Sequence, residues 1–305
     1  MTNTEIRLTG RPDGAPTLDD FTLVTTGIPE PGPGQVLVRN RYLALGAVMR
    51  TLIAGGVLAA RAVGEVVTSS SADFPIGTGV LHRSGWQQYT VADPAALRTA
   101  DPDDPLPRLG GGLTALAGLR VAGLRAGETV YVSGAASAVG TAAGAVARAL
   151  GAGRVIGSTG SPGKVTELTR LGFDAAFDHR SEPIGAALAR LGPVDVVLDT
   201  VGRVAELVEA VGPRTRIALC GALAQQLGGH PDPRLDLTAV IGKRLSLLGC
   251  TAADHAGLED DLARLGPLHL PHTVVDGLAA APRALLDLFA GRWTGTVLVR
   301  VDPQV

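Results

Sequence analysis

Between Glu128 and Leu150 the chain reads ETVYVSGAASAVGTAAGAVARAL. Thr129 to Val132 is a β-branched and aromatic run that predicts a strand. Ser133 to Ser137 offers almost no side-chain bulk, and from Ala138 onward Ala, Val and Leu with interleaved Gly140 and Gly144 predict a helix packed closely on a sheet. A strand, a tight turn and a helix leave free backbone N–H groups at the helix N-terminus, and these together with the helix dipole bind phosphate. The dinucleotide fingerprint is G-x-G-x-x-G. Its three positions fall on Ala135, Ser137 and Gly140, so only the last is glycine. Taken alone, the stretch Ala135, Ala136, Ser137, Ala138, Val139, Gly140 divides evenly between phosphate binding and plain packing.

A dinucleotide makes a second demand, at the end of the next strand, where an NAD site places Asp or Glu on the ribose hydroxyls. The chain there reads Gly157-Ser158-Thr159-Gly160-Ser161, without an acid, and Lys164 follows. A small uncharged loop backed by a cation fits a 2′-phosphate and favours NADPH over NAD; the plainer alternative is a solvated lysine at a helix start. Two later strand ends, Asp199-Thr200-Val201-Gly202 and Cys220-Gly221-Ala222-Leu223, carry small or polar turns. Ordinary loops need such residues too, but the three converge on the carboxyl edge of one sheet, where open α/β sheets bind ligands.

Other chemistries find little support. There is no G-x-S-x-G nucleophile elbow and no H-E-x-x-H. His82, His179, His230, His255, His269 and His272 are not spaced as metal ligands and read as surface or loop residues. Cys220 and Cys250 lie outside any C-x-x-C, which argues against a disulfide framework or structural zinc and for small buried thiols. The acidic run Glu259 to Asp261 reads as a solvated helix face.

The elements around these residues follow from composition and period. At 305 residues two domains are expected. A formal net charge of -2 gives no footprint for nucleic acid or an anionic membrane. No basic-then-apolar N-terminal segment and no run of about 18 apolar residues is present, so a soluble, cytoplasmic protein is expected. Arg- and Ala-rich, Lys-poor usage suggests a bacterial source. Residues 1 to about 104 read as short strands with Gly/Pro turns: Gln35 to Asn40, Ala62 to Thr68 with Gly64 at a bulge, Phe74 to Val80, and Gly85 to Val91. The segment Asp101 to Pro107 marks a boundary. Beyond it strand and helix alternate: after the opening unit come Arg154 to Thr159, Pro162 to Leu171 with Ser161 as N-cap, Ala175 to Asp178, Gly185 to Leu191, Val194 to Asp199, Val204 to Val211, Arg216 to Cys220 and Arg244 to Cys250. That alternation predicts an α/β, doubly wound parallel sheet. Ala281 to Ala290 is a helix, and Gly295 to Val301 a last strand expected to return to the N-terminal β domain.

In order along nearly the whole chain, several segments resemble the medium-chain dehydrogenases/reductases. The similarity is to the zinc-independent branch of prostaglandin reductases, leukotriene 12-hydroxydehydrogenases and alkenal double-bond reductases. They include Asn40 to Leu43 with Met49-Arg50, Val63 to Val67, Gly85 to Tyr89, Gly112 to Ala115, Ala135 to Gly140, Leu171 to Asp174, Gly221-Ala222, Lys243 to Leu245, and Gly277-Leu278 with Ala281-Pro282. The resemblance implies a GroES-like β domain (1–104 and 270–305), a Rossmann NADPH-binding domain (105–269), a cleft between them, a homodimer and no metal. It implies NADPH-dependent reduction of a C=C bond conjugated to a carbonyl in a small-molecule substrate. Hydride goes to the β carbon while a donor holds the enolate oxygen. By position, Ala135 to Gly140 take the pyrophosphate and Gly160, Ser161 and Lys164 the 2′-phosphate. Thr200, Val201, Cys220, Gly221, Ala222, Cys250 and Thr251 flank the nicotinamide.

The departures from that pattern are specific. The family's Asp-Pro-Tyr before Met-Arg becomes Gly46, Ala47 and Val48, and its Ser-Gln-Tyr becomes Ala224-Gln225-Gln226. A tyrosine near the adenosine phosphate becomes His179, and an asparagine near the C-terminal glycine becomes Trp293. The stretches Arg50 to Val63 and His255 to Val275 are shortened. Tyr42 is the surviving tyrosine that could donate to the substrate oxygen, or equally a core residue. Quinone reduction is the nearest alternative activity. Lost polar groups leave open a non-redox role, such as cyclisation or binding, on the same fold.

Overall fold

The computed structural model describes residues 2–10, 16–46, 58–222, 234–252 and 257–301. The chain divides into two units, Met1–Gly110 with His272–Val305 and Gly111–Pro271.

The first unit opens with β1 (Thr2–Leu8) paired antiparallel to β2 (Phe21–Gly27). This hairpin escapes a sequence reading because Asn3 and Glu5 sit at buried positions beside Ile6 and Leu8, so the apolar alternation is broken. The Asn3 side chain explains its own burial: Oδ1 accepts from the Tyr89 amide at 2.9 Å. β3 (Val36–Leu45) is longer than the predicted Gln35 to Asn40 and pairs with β4 (Ala62–Ser69) and β6 (Tyr89–Ala92); β5 (Gly79–His82) pairs with β4 and with β7 (Arg98–Thr99). Gly64 sits where register shifts, and a Cβ there would meet the Arg39 carbonyl oxygen at 2.4 Å. The predicted strand from Gly85 starts only at Tyr89. Trp86 takes a positive φ of 67°, which no strand residue can hold. A short helix, α1 (Leu106–Leu109), ends this segment.

The second unit begins with α2 (Gly112–Val121) and continues as strand–helix repeats: β8 (Thr129–Val132), α3 (Ala138–Ala149), β9 (Arg154–Thr159), α4 (Pro162–Arg170), β10 (Ala175–Asp178), α5 (Ile184–Leu191), β11 (Val196–Asp199), α6 (Val204–Ala210), β12 (Arg216–Leu219), α7 (Leu237–Lys243), β13 (Ser246–Gly249) and α8 (Leu258–Arg264). The six strands lie in the order β10-β9-β8-β11-β12-β13, all parallel. Period-two alternation loads both faces. Val130, Val132, Val155, Val196 and Leu198 pack with α2 and α3 on one side, while Tyr131, Ile156, Val197 and Ile217 pack with α5 and α6 on the other. Each such side chain contributes about 1.5–3 kcal/mol by leaving water, which is why the strands read as near-continuous apolar runs. The run Glu259 to Asp261 does begin a helix, and Asp261 pairs there with Arg120 and Arg264.

The chain then returns to the first unit. β14 (His272–Asp276) runs parallel to β15 (Thr296–Arg300), with α9 (Ala281–Phe289) between them. β15 pairs antiparallel with β3, Arg300 opposite Tyr42 and Val297 opposite Leu45. The last strand therefore does rejoin the N-terminal β sheet, as the missing helix after it suggested.

Candidate functional site

The carboxyl ends of β8, β9, β11 and β12 bring together most of the residues singled out above. Gly134 turns the chain with a positive φ of 56°, and its amide-side neighbour Ser133 is buried. Ser137 is the N-cap of α3: its Oγ accepts from the Gly140 amide at 3.0 Å. The amides of Ala138 and Val139 meet no acceptor among the described residues. A Cβ on Gly140 would meet the Gly134 oxygen at 2.4 Å and the Ala135 Cα at 2.6 Å. The one glycine kept from the fingerprint is thus the one that lets the helix sit against the turn, the third-glycine role. Ala135 and Ala136 are buried, and the Ala135 amide donates to the Ser158 carbonyl at 2.8 Å, locking the turn to β9. These residues fit a pyrophosphate: two free amides, a helix dipole and no side-chain bulk.

A buried acid organises the next loop. Asp199 is fully buried at the end of β11. Its Oδ1 accepts from Ser133 Oγ and from the Val201 amide at 3.0 Å, and its Oδ2 from the Gly202 amide at 3.0 Å. Thr200 donates through its amide to Ser133 Oγ and through Oγ1 to the Ser133 carbonyl, both at 2.9 Å. A Cβ on Gly221 would meet the Thr200 oxygen at 2.6 Å, and one on Gly202 would meet the Ala222 Cα at 2.9 Å. The loops after β11 and β12 are therefore stacked backbone to backbone. Cys220 follows β12 and Cys250 follows β13 in adjacent register. The two thiols hydrogen-bond each other, and both are half-buried, not fully buried as expected. Burial first, then Cys250, pushes the Cys220 thiol far above its usual range, so it is no nucleophile. Thr251 is exposed beside Cys250.

At the other flank, Gly160 follows β9. A Cβ there would meet Arg180 Nε at 3.0 Å and His179 Cε1 at 3.3 Å. Ser161 is the N-cap residue of α4, as expected, with extended backbone and Pro162 after it, and its side chain makes no cap hydrogen bond. Lys164 is half-buried in the first turn of α4; burial lowers its pKa and Glu167 opposes that shift. His179 is half-buried, and burial, then Arg203, lowers its pKa. Sequence reasoning missed Arg180 and Arg203. The signal was available, since each is a cation within a few residues of a strand end on the same sheet edge.

Tyr42 lies elsewhere, on β3 of the first unit. Its hydroxyl accepts from Arg300 Nε at 3.3 Å, and the Arg300 guanidinium stands 5.8 Å from the ring centroid. Because the phenol accepts that bond, its own proton remains available to donate. Ala47, Val48, Met49, Arg50 and Ala224-Gln225-Gln226 lie outside the described residues. Trp293 donates from Nε1 to the Ala284 carbonyl at 3.2 Å and packs on the core formed by α9, a structural position. His82 corrects the reading of the histidines as surface residues. It is 4 % exposed, in β5, with Nδ1 accepting from the Ser84 amide at 3.1 Å.

Comparison with known proteins fits this geometry. Residues 4–100 match the family described as the N-terminal domain of oxidoreductase, and residues 138–265 the family described as zinc-binding dehydrogenase. The NADPH-dependent curcumin reductase of Escherichia coli (strain K12) is 32 % identical over 96 % of this chain and 95 % of its own. The chain belongs to the medium-chain dehydrogenase/reductase superfamily. Prostaglandin reductase 1 of Rattus norvegicus is 32 % identical over 94 % of this medium-chain reductase and 96 % of its own length. CurA from Vibrio vulnificus, solved in complex with NADPH, is 28 % identical with a TM-score of 0.89, covering 99 % of this chain and 100 % of that one. The zinc-independent branch fits this medium-chain oxidoreductase. Among the described residues no group of three or more His, Cys, Asp or Glu is placed to hold a metal ion.

Proposed function

We propose that this medium-chain oxidoreductase is an NADPH-dependent reductase of C=C bonds conjugated to a carbonyl. The reading is carried by the acid-free turn at Gly160, closed in by Arg180 and His179 and followed by Lys164. An NAD site would set a carboxylate there; a 2′-phosphate calls for cations. Ala138 and Val139 amides hold the pyrophosphate, with Ala135, Ala136, Ser137 and Gly140 giving it room. Gly160, Ser161, Lys164 and His179 hold the 2′-phosphate, with Arg180 added. Thr200, Val201, Cys220, Gly221, Ala222, Cys250 and Thr251 border the nicotinamide. The bound cofactor supplies the hydride. Tyr42 donates its phenolic O–H to the substrate carbonyl oxygen, stabilising the enolate, while the nearby Arg300 cation makes the phenol a stronger donor.

The test is direct. NADPH added to the protein should raise its melting temperature by mass action, and NADH far less. Loss of NADPH absorbance with 2-alkenals and enones then reads turnover. Binding without consumption across alkenals, enones and quinones would overturn the reductase reading and leave a non-redox role on the same fold.

A further inference from the structure

Thirty positions of chain separate Cys220 from Cys250, yet strand register sets them next to each other. β12 and β13 run parallel with Leu219 opposite Gly249, so the following residue on each is the cysteine. The ladder continues past the strands, the Cys250 amide donating to the Leu219 carbonyl at 3.1 Å. Neighbouring strands lie about 4.7–4.9 Å apart, inside the Cα–Cα window of about 4.4–6.8 Å that a disulfide spans. Both cysteines pack on the one apolar cluster that α2 covers, so their side chains share a face. The two thiols are in hydrogen-bond contact, and both are reduced and half-buried.

The surroundings hold one cysteine and leave room around the other. A Cβ on Gly118 of α2 would meet the Cys220 sulfur at 2.6 Å, so glycine there gives that sulfur its place. The Cys220 amide donates to the Asp199 carbonyl at 2.8 Å, and a Cβ on Gly221 would meet the Thr200 oxygen at 2.6 Å, so the loop after β12 is pinned to β11. Cys250 follows an edge strand of the sheet. Gly249 before it is exposed, and a Cβ there would meet nothing within 4 Å. Burial, then Cys250, keeps the Cys220 thiol protonated. A reagent arriving from solution therefore reacts at Cys250.

We propose that Cys220 and Cys250 are a modification site, a dithiol that a low-molecular-weight disulfide oxidises to a reversible internal bond. Cys250 gives up its proton and its sulfur attacks one sulfur of the reagent. The reagent's S–S bond breaks, and its other half leaves as a thiol with that proton. Cys220 then gives up its proton and attacks the Cys250 sulfur, expelling the second reagent thiol. The protein loses two hydrogens and two electrons, and the reagent gains both. Cys220 is too weak an acid to attack a reagent in solution, but here the sulfur it attacks is already in contact. A bond of about 2.05 Å replaces a hydrogen-bond contact, so the sulfurs close by about 1 Å. With Cys220 pinned, that movement falls on the loop after β13. On the reductase reading Cys250 and Thr251 border the nicotinamide, and a misplacement of about 1 Å lowers a rate by as much as about 100-fold. The effect on turnover rests on that reading; the bond itself does not.

The experiment incubates the full-length protein with oxidised glutathione, traps remaining thiols with a maleimide and reads the intact mass. In the wild type both cysteines should become unreactive together, with the protein two hydrogens lighter and no glutathione attached. Digestion should yield one peptide pair joined through Cys220 and Cys250, and dithiothreitol should restore both thiols. Cys220→Ser should stop at a glutathione adduct on Cys250, and Cys250→Ser should leave Cys220 unmodified. A lasting glutathione adduct on the wild type, a bond between two chains on a non-reducing gel, or two thiols still reduced overturns the proposal. These wild-type masses decide by themselves if a variant fails to fold. Turnover of NADPH with enones should fall at least about ten-fold in the bridged wild type and return on reduction. Cys250→Ser, compared with itself before and after glutathione, should show no such fall. Full turnover in the bridged wild type overturns the control of the nicotinamide rim. If the reduced protein consumes NADPH with no enone, the reductase reading fails by itself, and the masses still decide the bond.

Discussion

Buried polar groups in the two units are treated in opposite ways. At the edge of the parallel sheet, Asp199 is fully buried and accepts from Ser133, Val201 and Gly202, and Tyr131 and Ser158 hydrogen-bond at 2.7 Å. In the antiparallel unit, His82 Nε2, Trp86 Nε1 and Asn40 Oδ1 are buried without a partner among the described residues, and Arg61 and Arg83 face each other without an acid. The contrast teaches where the molecule is set in advance. A rim whose polar groups are satisfied internally holds its loops in one shape, which suits an invariant ligand such as a dinucleotide. The antiparallel unit leaves capacity unmet at single buried atoms rather than along one rim.

The sharpest way to break this contrast is at Asp199. Asp199→Ala would leave the Ser133 hydroxyl proton and the Val201 and Gly202 amides without their acceptor, at roughly 1–3 kcal/mol each, so a loss of about 4 kcal/mol is expected. A denaturant titration reads it as a lower midpoint at constant slope. An unchanged midpoint would mean the rim is not set by this network.

His82 gives the matching test in the other unit. Burial pushes its imidazole down to about 4. Between the ordinary histidine range and that value the unfolded chain binds the proton and the folded chain does not. Stability is therefore intact above pH ~6.5, falls as pH drops, and reaches its full loss near pH 4, about 3 kcal/mol for a shift of this size. Melting curves across that window should show the slope, and His82→Gln should remove that share of it. A slope left intact in the variant would assign it to carboxylates instead.

Smaller effects sharpen the division of labour. Tyr42→Phe should lower kcat about 100-fold, a typical loss for one oxyanion donor, while NADPH affinity stays at its wild-type value. A loss of stability with kcat retained would make Tyr42 a core residue. Lys164→Ala should weaken NADPH about 10-fold and leave NADH nearly untouched, as expected for one charge-assisted contact to the 2′-phosphate. Equal weakening of both cofactors, measured by fluorescence titration, would remove the lysine from the phosphate site.

Much of the second unit was legible in its sequence. Thr129–Val132, Arg154–Thr159 and Ala175–Asp178 are strands with the expected bounds, because strands buried on both faces are written as short apolar runs between turn residues. The first unit was harder. β1 hides behind the buried Asn3 and Glu5, and the run from Gly85 loses its first four residues to the positive φ of Trp86. In both cases a distant partner, not the local pattern, decides: Tyr89 for Asn3, and the Ile6 amide, which donates to the Trp86 carbonyl at 2.9 Å. The candidate site divides the same way. Gly140 and Lys164 stand out in the linear chain, whereas Arg61 opposite Arg83 emerges only when separate strands are laid side by side.

The sequence by itself determined the alternating α/β order, the small-residue turn after β8 and the missing acid after β9, because hydrophobic period, glycine placement and a charge's absence are local properties. Only the tertiary structure decided which polar groups are satisfied. Hydrogen bonds such as Ser133 to Asp199 join residues 66 positions apart, and the opposition of Arg61 and Arg83 is set by strand register. Register is a property of the paired sheet, so no window of the chain contains it.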